Sequence, residues 1–219
     1  MNKITWSELH QKRELNLLSP ILWILSLIYS AAVRLRLLAY NRGFLKAKTL
    51  PAFVVSIGNI TAGGTGKTPF IAMLTEWAAH NGFRAAILSR GYKGKSNQQS
   101  SVVSDGQGLI SSVHDAGDEP LLLAKKLPST PVLISKDRYA IGDMALRLFN
   151  SELLLLDDGY QHLSLYRDLN VLLIDANRQF GNGWLLPLGP LREPLKEIER
   201  ADLIVMTRCN ERERGDNLV

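Results

Sequence analysis

The residues with the clearest chemistry stand in one run: Phe53-Val54-Val55-Ser56-Ile57-Gly58-Asn59-Ile60-Thr61-Ala62-Gly63-Gly64-Thr65-Gly66-Lys67-Thr68-Pro69. It reads as a buried strand, a glycine-rich loop and the opening of a helix. That order is what a phosphate cradle needs. Glycines let successive backbone N–H groups turn toward an anion, and the following helix presents its positive dipole end to the same point. Thr61, Ala62, Gly63, Gly64, Thr65 and Gly66 are the expected cradle, with Lys67 reaching the β- and γ-phosphates and the Thr68 hydroxyl holding Mg2+. The expected ligands are therefore ATP and Mg2+. The pattern G-x-x-x-x-G-K-[ST] is broken at one place, where Thr61 replaces the first glycine and Gly63-Gly64 supply the freedom instead.

Carboxylates come second. Asp157 closes the run Leu153-Leu154-Leu155-Leu156 and is followed by Asp158, then Gly159-Tyr160-Gln161-His162. Adjacent carboxylates at a strand end repel unless a cation balances them, so the pair reads as a metal site rather than a solvated turn. In Gly117-Asp118-Glu119-Pro120, Asp118 has two readings: a helix N-cap, or the acceptor of a proton from an attacking hydroxyl. His162 is either a substrate or phosphate contact or a local loop histidine. Arg192, on the proline-stiffened stretch Pro187-Leu188-Gly189-Pro190-Leu191-Arg192-Glu193-Pro194, either neutralises a transferring phosphate or pairs with Glu193 or Glu197.

Continuous apolar strands position these groups. Arg84–Ser89, Val132–Ile134, Leu153–Asp157, Val171–Asp175 and Ala201–Thr207 alternate with helices, the one through Phe149 capped by Asp137. This predicts a P-loop NTPase-like α/β fold, a parallel sheet with helices on both faces. The Gly-, Ser- and Gln-rich residues 94–108 read as a connection. The chain stops at Val219 soon after a strand that should feed a helix, so a C-terminal portion is expected to be missing.

The net charge of +5 is unevenly placed. Residues 1–48 hold eight Lys or Arg against Glu8 and Glu14, a balance of +6, and residues 49–219 carry −1. Domains are accordingly expected at 1–48, a basic and apolar helical membrane-associating segment, and at 49–219, the nucleotide-binding domain. Thr5 and Glu8 form a capping-box pattern for a short helix. Ser19-Pro20 opens a second helix that should end at Gly43. Its uncharged stretch, Pro20 to Val33, covers only about 21 Å and is short for a membrane span, so an interfacial helix with Trp23, Tyr29, Arg34, Arg36 and Arg42 is expected. The single cysteine, Cys209, excludes an internal disulfide framework.

Taken together, the phosphate-loop run 58–69, Leu88-Ser89-Arg90-Gly91-Tyr92, Gly117-Asp118-Glu119-Pro120, Asp157-Asp158-Gly159-Tyr160-Gln161-His162 and Leu188-Gly189-Pro190-Leu191-Arg192-Glu193-Pro194 resemble the tetraacyldisaccharide 4'-kinase family. The resemblance implies transfer of the γ-phosphate of ATP to the 4'-hydroxyl of tetraacyldisaccharide 1-phosphate in lipid A biosynthesis. It implies a peripheral, monomeric enzyme on the cytoplasmic face of the bacterial inner membrane. By the same resemblance Asp118 is the catalytic base; from the residues themselves, Lys67 on the triphosphate and Arg192 over the developing charge are expected to act with it. Thr68, Asp157, Asp158 and Glu119 serve the metal, and Gln161, His162 and Arg90 meet the substrate, a lipid A disaccharide 1-phosphate. It also implies a second domain whose histidine pairs with the base, which this chain is expected to lack.

Other classes fit less well. A GTPase switch needs Asn-Lys-x-Asp, and the corresponding place has Thr207-Arg208-Cys209-Asn210. A membrane-sited partitioning ATPase carries a signature lysine where Ala62 stands. Nucleic acid is not expected as a partner, because the basic segment surrounds an apolar helix, which suits an anionic membrane surface better than a phosphate backbone.

Overall fold

A computed structural model describes residues 19–91, 100–111 and 116–211. The expected helix at Thr5–Glu8, His10, Tyr92, the basic stretch Lys93–Lys95, His114 and residues 212–216 lie outside the described residues. The chain forms two compact units. Within the described residues one comprises 19–45, 59–66 and 172–211, and the other 46–58, 67–91, 100–111 and 116–171.

The first unit opens with helix α1, Ser19–Asn41. It ends as expected at Gly43, whose φ of 74° allows its N–H to donate to Tyr40 O while Leu45 N–H reaches Ala39 O. The helix does not stop with its uncharged stretch: it runs past Arg34 and Arg36 for 23 residues, about 34 Å of axis. Ser26, Ser30 and Leu37 are buried on one face, whereas Ile21, Trp23, Ile24, Leu25, Leu27, Ile28, Leu35 and Leu38 stay exposed. Among the described residues, Pro20–Asn41 is the one helix long and apolar enough to cross a membrane, with a mean hydropathy of 1.7.

The second unit carries β1 (Phe53–Gly58), α2 (Lys67–His80), β2 (Ala85–Ser89), β3 (Ser101–Asp105), α3 (Asp118–Lys126), β4 (Pro131–Ile134), α4 (Arg138–Phe149) and β5 (Leu153–Asp157). With β6 (Leu169–Asp175) and β7 (Leu203–Thr207), the strand order is β3-β4-β2-β5-β1-β6-β7. Strand β5 pairs in parallel with both β1 and β2, Leu155 standing opposite Val55 on one side and Ile87 on the other. Strand β2 pairs in parallel with β4 through Leu88 and Leu133. A strand paired on both edges, in a sheet whose crossovers are helical, is apolar on both faces. The four leucines of β5 are buried accordingly.

One expectation needs correction. Residues 101–105, read as part of a connection, form β3, which pairs antiparallel with β4 and has a bulge between Val102 and Ser104. The sheet is thus parallel-dominated but mixed. A short edge strand with polar neighbours carries a weak local signal, and here the edge of β4 organises it.

Val54, Leu88, Leu133, Ile141, Leu154 and Leu156 lie in one buried cluster, each contributing about 1.5–3 kcal/mol through burial. Helix α4 is fixed over this core by the expected cap: Asp137 accepts from the N–H groups of Tyr139 (3.0 Å) and Ala140 (3.2 Å).

Candidate active site

In the second unit the chemistry gathers where β5 ends. Asp157 is buried, and its Oδ2 accepts from the Ser89 hydroxyl at 2.9 Å, at the end of neighbouring β2. Burial pushes the Asp157 carboxyl up to about 6. The Ser89 hydrogen bond and Lys67 oppose that rise, and the charges of Asp158 and Glu119 reinforce it. Asp158 adopts φ 54°, in the left-handed region, so the chain turns after Asp157. Lys67, the first residue of α2, places Nζ 3.3 Å from Asp158 Oδ1. The loop lysine and the strand-end carboxylate, 91 positions apart in the sequence, are therefore an ion pair.

The turn 157–162 is packed hard against β1. A Cβ on Gly58 would stand 2.7 Å from Tyr160 Cβ, and one on Gly159 would meet Leu156 Cβ at 2.6 Å and Ser56 Oγ at 2.9 Å. Only residues without a side chain allow this approach. Gly159 N–H donates to Ile57 O, His162 N–H to Gly159 O, and the His162 ring nitrogen Nε2 lies 3.0 Å from Ser164 Oγ. Tyr160 is buried, and Gln161 and His162 are half-buried.

Two residues that sequence reasoning missed complete this part. Ser89 orients Asp157. Arg138 is buried beneath it, with Nη1 donating to Ser135 O and Nη2 reaching Asp157 O at 3.4 Å. Burial lowers the Arg138 guanidinium to about 10, and Asp157 opposes that fall. Arg90 is exposed, and its charge acts on Arg138. Asp118 and Glu119 are exposed in the first turn of α3. The cap position belongs to Gly117, with no side-chain cap bond, so Asp118 does not serve as the N-cap.

In the first unit, loop 59–66 is built by its neighbours. Asn59 Nδ2 donates to Thr61 O (2.6 Å) and reaches Thr61 Oγ1 (3.2 Å), which shows how a threonine is held at the place of the usual glycine. Thr61 bridges Leu191, Ala62 N–H donates to Pro190 O (2.6 Å), and Arg192 N–H donates to Ile60 O (2.7 Å). The proline-stiffened segment is thus sewn to the first half of the loop. The second half is held from β7, where Thr207 Oγ1 lies 3.0 Å from Thr65 O. Gly63 and Gly66 have φ of 115° and 76°. A cleft is lined by residues 61–65 with Asp175, Arg178, Gln179, Gly181 and Pro190.

Asp175, Arg178 and Arg208 were also missed. Asp175 is buried at the end of β6 as Asp157 is at the end of β5. Its Oδ2 takes Arg208 Nη1 at 2.9 Å, and its Oδ1 accepts from the N–H groups of Asn177 and Arg178. The apolar run ending in aspartate was the available signal. The Arg178 guanidinium stands beside the Gly63 backbone. Of the two acidic partners considered for Arg192, both Glu193 and Glu197 are paired with Arg200.

Among the described residues no group of three or more His, Cys, Asp and Glu side chains is arranged to hold a metal. The oxygen donors Thr68, Asp157 and Asp158 nonetheless fit Mg2+, which takes few protein carboxylates and relies on phosphates and water for the rest.

Comparison with known proteins identifies the family. Residues 18–218 match the family model described as tetraacyldisaccharide-1-P 4'-kinase. The tetraacyldisaccharide 4'-kinase of Geobacter sulfurreducens is 48% identical over 193 residues, covering 88% of this chain and 55% of that protein. Its namesake from Pelobacter propionicus is 47% identical over 195 residues, covering 89% and 53%. The crystal structure of LpxK from Aquifex aeolicus in complex with ATP superposes with a TM-score of 0.84 at 44% identity, covering 93% of this chain and 62% of that one. The chain spans little more than half the length of the curated relatives it matches.

Proposed function

Because the chain belongs to the tetraacyldisaccharide-1-P 4'-kinase family, we propose that it holds the nucleotide and performs phosphoryl transfer in an ATP-dependent lipid kinase. The acceptor is the 4'-hydroxyl of tetraacyldisaccharide 1-phosphate. The observation that supports this reading is the Lys67–Asp158 ion pair following the buried Asp157 carboxyl, a lysine beside strand-end carboxylates, which is the combination that P-loop phosphoryl transfer uses.

In this reading the amides from Gly63 to Thr68 and the Lys67 ammonium hold the triphosphate. Thr68, Asp157, Asp158 and Glu119 would hold Mg2+, which would supply positive charge against the phosphate oxygens. Ser89 holds the Asp157 carboxyl, and Arg138 holds the backbone carbonyl of the same residue. Asp118 accepts the proton of the sugar hydroxyl as its oxygen bonds to the γ-phosphorus and the bond from γ-phosphorus to the bridging oxygen breaks, releasing ADP. Arg192 meets the charge of the transferring group. Gln161, His162 and Arg90 border the disaccharide. Segment 1–48 serves as the membrane-associating part and 49–219 as the kinase part. The exposed apolar face of α1 lies on an anionic bilayer at the cytoplasmic face of the inner membrane, with the acyl chains left in the lipid.

The test is nucleotide binding followed by phosphoryl transfer to the lipid acceptor. Lys67→Ala should weaken ATP binding on the order of 100-fold, the scale of a charge-assisted phosphate contact. Unchanged ATP affinity in that variant would remove the nucleotide site from this loop.

A further inference from the structure

Both backbone polar groups of Arg192 are engaged, and by different elements. Its N–H donates to Ile60 O at 2.7 Å, at the entrance of the phosphate loop. Its carbonyl accepts from the Tyr29 hydroxyl at 2.9 Å, on α1. One helical turn earlier, Ser26 Oγ donates to Leu185 O at 2.9 Å, so the same face of α1 holds the proline-stiffened segment at Arg192 and the chain just before that segment at Leu185. The intervening residues are fixed as well: Leu191 N–H donates to Trp184 O, and Leu191 O accepts from Leu186 N–H. Little freedom remains in the backbone that carries the Arg192 side chain.

We propose that Tyr29 is a positioning residue for Arg192: the apolar helix, through this hydroxyl, fixes the arginine's backbone so that its guanidinium meets the γ-phosphate. The inference rests on the reading above, in which Arg192 acts on the transferring phosphate. Ser26 and Tyr29 stand in the part of the helix before Arg34, where the large exposed side chains are Trp, Ile and Leu, and each hydroxyl accounts for one backbone carbonyl. Burial raises the Tyr29 hydroxyl above its ordinary value, so it remains protonated and donating throughout the neutral range. The nearby charges are those of Glu193, Arg192 and Arg36, and Glu193 is itself held by Arg200.

Arg192 would touch ATP but not ADP, so the measurement is the ratio of the two affinities in the full chain, by calorimetry with ATP or a non-hydrolysable analogue and with ADP. The expectation is a roughly 5- to 10-fold fall in preference for the triphosphate in both Arg192→Ala and Tyr29→Phe, about one lost charge-assisted contact, with ADP affinity unchanged. The double variant should match Arg192→Ala alone, because both act through one contact. A merely structural role for Tyr29 would weaken ADP and ATP equally, and that result overturns the proposal. If Arg192→Ala lowers the preference and Tyr29→Phe does not, the positioning role fails and the arginine's role stands. If Arg192→Ala leaves the preference unchanged, the reading of Arg192 fails and the proposal falls with it.

Discussion

The Ser89 hydroxyl donates to Asp157 Oδ2 across 2.9 Å, joining the ends of two neighbouring parallel strands inside the protein. The bond does not offset the burial of that carboxyl, which stays raised to about 6 against an ordinary 3.8. The sign of the consequence follows. Below about pH 4 the group is protonated in both folded and unfolded chains, and its contribution to stability is fully present. As pH rises through about 6 the folded protein must ionise a buried group, and the contribution is lost. In EDTA, Asp157→Asn should therefore be more stable than the wild type at pH 7, by up to about 3 kcal/mol. The gap should close near pH 4. Urea denaturation at the two pH values decides; parallel curves would rule out burial as the cause.

Asp118 offers a separation of roles. It is exposed, and Gly117 occupies the cap position, so a helix-capping role predicts nothing for it. Asp118→Asn should leave the thermal midpoint and ATP affinity unchanged while slowing transfer to the lipid acceptor by about 100- to 10,000-fold, the range for loss of a general base. Equal transfer rates in variant and wild type would end that role.

Gly58 sets how closely the carboxylate turn packs. A methyl group there would sit 2.7 Å from Tyr160 Cβ, and neither residue can retreat, since Tyr160 is buried. Gly58→Ala should lose about 1–3 kcal/mol, the usual range for overpacking. It should also weaken Mg2+-dependent ATP binding more than Mg2+-free binding, because it shifts the turn bearing Asp157 and Asp158. Calorimetry with and without Mg2+ reads the difference.

Trp23 and Ile24 are 46% and 54% exposed on α1. Replacing both with glutamate should leave the circular dichroism and thermal midpoint as they were. It should lower the fraction that sediments with vesicles containing phosphatidylglycerol about tenfold or more, since two apolar anchors become like charges. Sedimentation equal to the wild type would show that this face does not meet lipid.

What could be read in the sequence followed from how local each signal was. The apolar run of β5, the glycine loop and the Asp137 cap are each written within a few consecutive residues. Their elements appear where the spacing places them. Strand β3 was hidden because its hydrogen-bonding partner, β4, lies some thirty residues further on and its own neighbours are polar. Arg138 was hidden for a different reason: a charged residue in the first turn of a helix looks solvent-facing, and only the fold reveals that Ser135 and Asp157 carbonyls wait for it. The pairing of Asp175 with Arg208 likewise joins the ends of two strands and leaves no trace in spacing.

The stitching of Ile60 and Ala62 to Arg192 and Pro190 bears on how fast and how tightly a ligand is gripped. A loop of this composition would otherwise be among the floppiest in the chain, and each residue frozen on binding would charge about 1–2 kcal/mol of backbone entropy against the ligand. Here the entrance of the loop is frozen when the chain folds. Anions should accordingly dock into a ready-shaped mouth, with selectivity determined by which oxygens reach its far end.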